Sequence, residues 1–161
     1  MTRERFISEV RQCQGQLRRF LASLCGDAAM ADDIAQEALV RAYVSSGRFT
    51  GNFKAWLFRI AYNSFIDNLR RVPSLAASID APEALRVDDG TASDASFEQE
   101  ELQRALARIP EKERTAIVLH YFEDLPVKEI ASVMQVPSGT VKYYLSVGRD
   151  HLKQHISHEG H

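Results

Sequence analysis

Residues that carry chemistry are scarce in the front of this chain. No histidine occurs before His120, and only two cysteines, Cys13 and Cys25, occur in 161 residues. They lack the spacing of a CxxC pair and are too few for a disulfide framework, so they read as small core residues. No apolar run reaches membrane-spanning length, and the opening MTRERFISEV is charged where a secretory leader needs an apolar core. A cytoplasmic protein without membrane insertion is expected. No nucleophile sits with a base and no ligand cluster forms, so neither enzyme chemistry nor a metal or other cofactor is expected. The tail HLKQHISHEGH is the one exception, since His151, His155 and His158 recur at i, i+4 and i+7. Terminal histidines without cysteines nearby read as solvated rather than metal-bound.

The composition, 45% hydrophobic and 26% charged, is that of an ordinary globular chain. Its net charge of −2 hides an uneven distribution. Residues 1–72 hold 11 Lys/Arg against 7 Asp/Glu, residues 73–95 hold 1 against 5, and residues 96–161 hold 8 against 10. The middle stretch is rich in Pro, Ala, Ser and Asp and has no sustained apolar period. It reads as a flexible acidic linker between two small domains, 1–72 and 96–161.

Both domains read as helical, which makes the chain all-α. Phe6, Val10, Cys13, Leu17, Phe20, Leu21 and Leu24 lie on one face of a long helix that ends near Gly26. Asp27 is placed to cap the next helix. In that helix Ala31, Ile34, Ala35, Ala38, Leu39 and Ala42 form a buried stripe, while Asp32, Asp33, Gln36, Glu37 and Arg41 point away. Adjacent Asp32 and Asp33 are splayed about 100° apart on a helix, which suits a polar docking surface better than a catalytic pair. A third helix turns Phe53, Trp56, Leu57, Ile60, Ala61 and Ser64 inward. Its opposite face carries Arg59, Tyr62, Asn63, Ile66 and Arg70, a mixture of cations and stacking groups expected where a nucleic-acid strand is held.

In the second domain, Phe97, Leu102, Leu106 and Ile109 mark a helix stopped by Pro110, and Ala116, Leu119 and Phe122 mark the next. Val127, Ile130, Ala131 and Met134 then define a short helix, followed by the turn QVPSG and a helix starting at Ser138. Two short helices joined by a tight turn, the second polar on its outer side, are the sequence form of a helix-turn-helix. Steps of about 100° place Val141, Leu145, Gly148 and Leu152 on the inner seam, Tyr144 at its rim, and Tyr143, Ser146 and Asp150 outside. Lys142, Arg149 and Lys153 flank that outer face. Ser138, Gly139 and Thr140 provide a cap, close backbone approach and a hydroxyl for a phosphate oxygen.

Three blocks in this order, DDIAQEALVRAY, FKAWLFRIAYNSFIDNLRR and LARIPEKERTAIVLHYFEDLPVKEIASVMQVPSGTVKYYLSVGRDHL, resemble the extracytoplasmic-function sigma factors. These are the smallest class of the sigma-70 family of bacterial transcription initiation factors, and the resemblance covers nearly the whole chain. It implies that the first domain is sigma region 2, and that Asp32, Asp33, Gln36, Glu37 and Arg41 dock on the clamp helices of the RNA polymerase largest subunit. It implies that the loop 45–52, with Arg48 and Phe49, captures a flipped base of the minus-10 element. Asn52, Lys54, Arg59, Tyr62, Asn63 and Arg70 would then hold the opened strand. The second domain becomes sigma region 4, contacting the polymerase flap and reading the minus-35 duplex with Ser138, Gly139, Thr140, Lys142, Tyr143, Ser146, Arg149 and Lys153. The linker would run through the RNA exit path, and an anti-sigma factor is implied as a further partner.

Tyr143, Tyr144 and Val147 depart from the family's usual small or basic residues, which predicts an unusual minus-35 sequence or a weak dependence on one. Two other readings use the same residues: a sigma-like decoy for an anti-sigma protein, and a plain helix-turn-helix regulator. The decoy form carries a receiver domain, for which the chain has no room, and the plain regulator leaves DDIAQEALVRAY and the Trp56 helix without a role.

Overall fold

The computed structural model describes residues 1–71 and 94–159, with side chains described over 1–71 and 100–156. Residues 73–93 of the expected linker and the side chains of Phe97 and His158 lie outside the described residues. Among the described residues every regular element is helical.

Helix α1 (Arg3–Cys25) starts at Thr2, whose side chain accepts from the Arg5 amide, and stops at Gly26. Gly26 takes φ 69° and donates its amide to the Ala22 carbonyl, a left-handed cap that a residue without Cβ adopts at little cost. Asp27 then accepts from the Ala29 and Met30 amides, so one helix ends and α2 (Ala28–Val44) begins within two residues. A 3-10 turn (Ser46–Arg48) leads to α3 (Phe53–Arg71). Small Ala31, Ala35, Ala38 and Ala42 are buried along α2 and let its neighbours approach closely. Phe20 of α1 stacks on Phe58 of α3 with ring centroids 4.9 Å apart.

The inner face of α3 is wider than one stripe. Phe58 and Phe65 are fully buried beside the expected Leu57, Ala61 and Ser64, whereas Trp56 and Ile60 are only half-buried. The reason is that α3 has neighbours on two sides: α1 and α2 on one, and the second domain on the other.

The second domain runs through α4 (Asp94–Ala107), α5 (Glu111–Ile117), α6 (Val127–Met134) and α7 (Ser138–Glu159). Arg114 of α5 is 1% exposed and donates to the carbonyls of Leu106, Ala107 and Ile109 at 2.9, 3.3 and 3.0 Å. It thereby supplies donors to carbonyls at and just beyond the end of α4, where the helical ladder runs out. Beyond Ile117 the helix widens into a π turn over Val118–Phe122. Left-handed Gln135 (φ 57°) closes α6 and starts the tight turn into α7. Val141, Leu145, Gly148 and Leu152 are all buried, as the helical geometry predicts. Gly148 lets α7 approach α5 closely there: a Cβ would lie 2.6 Å from Ile117 Cδ1 and 3.2 Å from Glu113 Cβ, so the end of the Ile117 side chain would have to move aside.

Candidate nucleic-acid interface

On α2 the structure separates the expected docking residues into two groups. Asp32, Asp33 and Gln36 are exposed. Glu37 and Arg41 lie outside the alanine stripe but are half-buried, because they are engaged by α3. Glu37 pairs with Arg41 at 2.7 Å and with Arg71 at 3.5 Å, and it accepts from Asn68, while Arg41 also reaches Asp67 at 3.1 Å. This network ties α2 to α3, a purpose invisible on a helical wheel that omits α3. Val40 (65% exposed), Tyr43 and Val44 (79%) extend the outer face beyond Gln36, although the sequence reading gives them no part in it. A signal for them exists, since they follow Gln36 at helical spacing while the alanine stripe already accounts for the core.

The loop and α3 also differ from expectation. Arg48 is exposed, but Phe49 is half-buried and makes edge contacts with Phe53 and Trp56 at 5.5 and 5.3 Å. Asn52 accepts from the Ala55 amide through its side-chain oxygen, so it acts as a helix cap. Arg59 and Arg70 are exposed and Asn63 is half-buried. Tyr62, expected on the open face, is only 2% exposed. Its hydroxyl donates to the Glu111 carboxylate at 3.1 Å and accepts from the Lys112 ammonium at 2.8 Å, and that ammonium lies 5.2 Å from the ring centroid. Burial, followed by the Glu111 charge, pushes the phenol well above its ordinary range. Sequence periodicity located the side of α3 turned from α1 and α2; it could not reveal that the second domain covers Tyr62 on that side.

Two further contacts join the domains. Lys54 donates to the Glu123 carbonyl at 2.7 Å. The Glu123 side chain is 0% exposed and meets Arg19 of α1 through two nitrogens, the shorter contact being 2.7 Å. Burial pushes the Glu123 carboxyl up, against the opposing pull of Arg19 and Lys54.

The outer face of α7 is open. Ser138, Gly139, Lys142, Tyr143, Ser146, Arg149 and Lys153 are exposed, and Thr140 is half-buried. Tyr143 is 62% exposed and Tyr144 sits at the rim of the core, with their rings 6.1 Å apart. The Pro137 carbonyl accepts from Thr140 and Val141, so Ser138 begins the first turn rather than preceding it. Arg149 donates to the exposed Tyr121 hydroxyl at 2.9 Å. His151 turns toward Glu113, with Nδ1 2.5 Å from the carboxylate. Among the described residues no group of three or more His, Cys, Asp or Glu is arranged to hold a metal.

An all-α pair of domains, one with a polar-faced helix beside an aromatic and cationic helix, the other with an open helix-turn-helix, defines a class of DNA-binding proteins. The Sigma-70 region 2 family matches residues 10–72 and the Sigma-70, region 4 family matches residues 99–152. The chain is 36% identical over 147 residues to the ECF RNA polymerase sigma factor SigW of Bacillus subtilis, covering 83% of this chain and 79% of that one. It is 35% identical over 130 residues to the RNA polymerase sigma-H factor of Pseudomonas aeruginosa, covering 72% and 67%. The chain belongs to the ECF sigma factors, non-enzymatic members of the sigma-70 family. Its fold is that of the sigma factor RpoE solved with the anti-sigma factor NepR from Bartonella quintana, at TM-score 0.78, 24% identity and coverage of 96% and 98%. CnrH, solved with the cytosolic domain of CnrY, shares the fold at TM-score 0.70 and 21% identity, with coverage of 95% and 88%. No helix among the described residues is long and apolar enough to cross a membrane.

Proposed function

We propose that this sigma factor works in the cytoplasm, binds core RNA polymerase, and directs initiation by reading a minus-35 duplex and melting a minus-10 element. The open outer face of α7 carries the reading, because cations flanking an exposed tyrosine on the second helix of a helix-turn-helix are placed to meet phosphates and base edges. Polymerase docking falls to the exposed line of α2, Asp32, Asp33 and Gln36 continued by Val40 and Val44, with Glu37 and Arg41 holding that helix in place. Arg48, Arg59, Asn63 and Arg70 receive the opened strand, joined by Lys54 and Tyr62 once these are uncovered. Extruding a base costs a few kcal/mol, which aromatic stacking and edge hydrogen bonds offset. RpoE and CnrH, which share the fold, were each solved with a second protein, an anti-sigma factor in the case of RpoE, and this supports an anti-sigma factor as a partner of this chain as well.

Run-off transcription with purified core polymerase on a promoter library tests this reading. Promoter-specific initiation is expected and yields both elements. A folded chain that never initiates would instead be a decoy or a plain regulator. Within the same assay Asn63→Ala should impair promoter opening more than closed-complex binding, and equal loss of both contradicts its role in the opened strand.

A further inference from the structure

Tyr121 has no part in the reading of the duplex described above, yet it is bonded to a residue that has. Arg149, on one flank of α7, donates from Nη1 to the Tyr121 hydroxyl at 2.9 Å. Tyr121 stands in the π turn after α5, outside the helix-turn-helix, and is 50% exposed. Its ring is braced. The His120 ring meets it edge on with centroids 4.8 Å apart, and His120 Nδ1 donates to the Leu125 carbonyl at 3.1 Å, which fixes that ring in turn.

The polar balance of the pair differs from that of other arginines in the chain. Arg18, Arg19, Arg41 and Arg71 each meet a carboxylate, which offsets their charge. Arg149 meets a phenol, a partner that holds the guanidinium without neutralising it. A phenol oxygen that accepts from a guanidinium keeps its own hydrogen to donate, and among the described residues nothing accepts it. The remaining guanidinium N–H groups and this O–H are therefore neighbouring donors, a set that matches the oxygens of a phosphate. Position points the same way. Arg149 lies nine residues beyond Thr140 on α7, about 14 Å, whereas the major groove is about 12 Å wide. A helix entering by its first turn meets the bordering backbone at that distance rather than a base edge. Steps of about 100° put Lys142 and Lys153, both exposed, within about 40° of Arg149, so this flank is cationic along its length.

We infer that Tyr121 and Arg149 form a phosphate-binding pair for the DNA strand that borders the minus-35 groove, Tyr121 aiming the guanidinium and donating its hydroxyl to the same phosphate. The inference rests on the proposed reading of duplex DNA by α7. It extends the DNA contact past the helix-turn-helix to the end of α5. Because the guanidinium is held before DNA arrives, less side-chain freedom is lost on binding. The contact adds affinity and orientation and carries no sequence information.

The test uses the full chain and a fluorescein-labelled duplex selected for binding from a random library, read by anisotropy. Tyr121→Phe keeps the ring beside His120 and should weaken binding about fivefold at an unchanged melting temperature. Arg149→Gln should weaken it about tenfold and lower the slope of log affinity against log salt by about one. The double variant should bind little worse than Arg149→Gln alone, whereas two independent losses would multiply to about fiftyfold. Unselected duplexes at low salt should show the same loss with Tyr121→Phe, since no base is read. Uncharged methylphosphonates placed singly along the selected duplex should reveal one position that weakens the parent and leaves Arg149→Gln unaffected. Undiminished binding by Tyr121→Phe, multiplied losses in the double variant, or a scan without such a position overturns the pair. The reading by α7 survives that result if Tyr143→Ala still weakens the selected duplex. A chain that binds no duplex overturns both. Coupled losses in a chain that never initiates transcription uphold the pair and refute the proposed function.

Discussion

The faces of α3 and α7 carry similar chemistry, cations interleaved with tyrosine, yet the tyrosine of one is covered and that of the other open. Tyr62 is 2% exposed and bonded on both sides of its hydroxyl; Tyr143 is 62% exposed. The same residue type thus serves in two electrostatic settings within one chain. Burial at Tyr62 makes the hydroxyl part of the domain contact, whereas Tyr143 leaves its ring and hydroxyl open to solvent. A helix face can be suited to nucleic acid and still be spoken for by protein.

Removing the covering domain should break this contrast most severely. Arg114→Met leaves the carbonyls of Leu106, Ala107 and Ile109 without the guanidinium and should destabilise the second domain by about 3 kcal/mol. Thermal unfolding should then split, the second domain melting before the first, and one unshifted transition contradicts the role given to Arg114. The open side is probed by Tyr143→Ala. Affinity for the selected minus-35 duplex should fall about tenfold, about 1.4 kcal/mol, without a change in melting temperature. Equal binding in a fluorescence anisotropy titration would remove Tyr143 from the reading face.

A milder comparison applies one substitution to both regions. Tyr62→Phe should lower stability in urea by about 1 kcal/mol through the lost hydroxyl bonds, while Tyr143→Phe should stay within about 0.5 kcal/mol of the parent. Similar midpoints for the two variants would mean that the Tyr62 hydroxyl contributes nothing net to the contact between the domains. The smallest effect concerns the core beneath α3. Burial pushes the Cys13 thiol up to about 11 and the Cys25 thiol up to about 12. At pH 8 at most about a thousandth of either is thiolate, so an aromatic disulfide reagent should not label the native chain. Rapid labelling without denaturant would show that the first domain opens on its own.

Local rules were legible in the sequence wherever one residue settles its own neighbourhood. Gly26 ends α1, Asp27 starts α2, and the α7 seam of Val141, Leu145, Gly148 and Leu152 is buried as its spacing requires. The helical class, the helix-turn-helix and the family blocks all rest on such rules. The burial of Tyr62 and the partners of Glu37, Arg41 and Arg114 were not legible, because those partners lie on other helices and periodicity carries no information about them. Asn52 is a different case: its capping chemistry was readable one position before Phe53, but the resemblance drew it toward DNA. Glu123 gave no sign at all, since an acidic residue before a turn is unremarkable until Arg19 arrives from α1.

The π turn after α5 gives that meeting a rotational basis. The Glu123 amide bonds to the Val118 carbonyl five residues back, where an α-helix would use the fourth. Wound as ordinary α-helix through the same residues, Phe122 would take the place at the Val118 carbonyl and Glu123 would lie one position further on, turned by about 100° and shifted by about 1.5 Å. Glu123 would then face away from Arg19 although neither side chain had been altered. The two halves of the molecule are matched in phase as well as in charge, and a change of spacing can detune them as thoroughly as a change of residue.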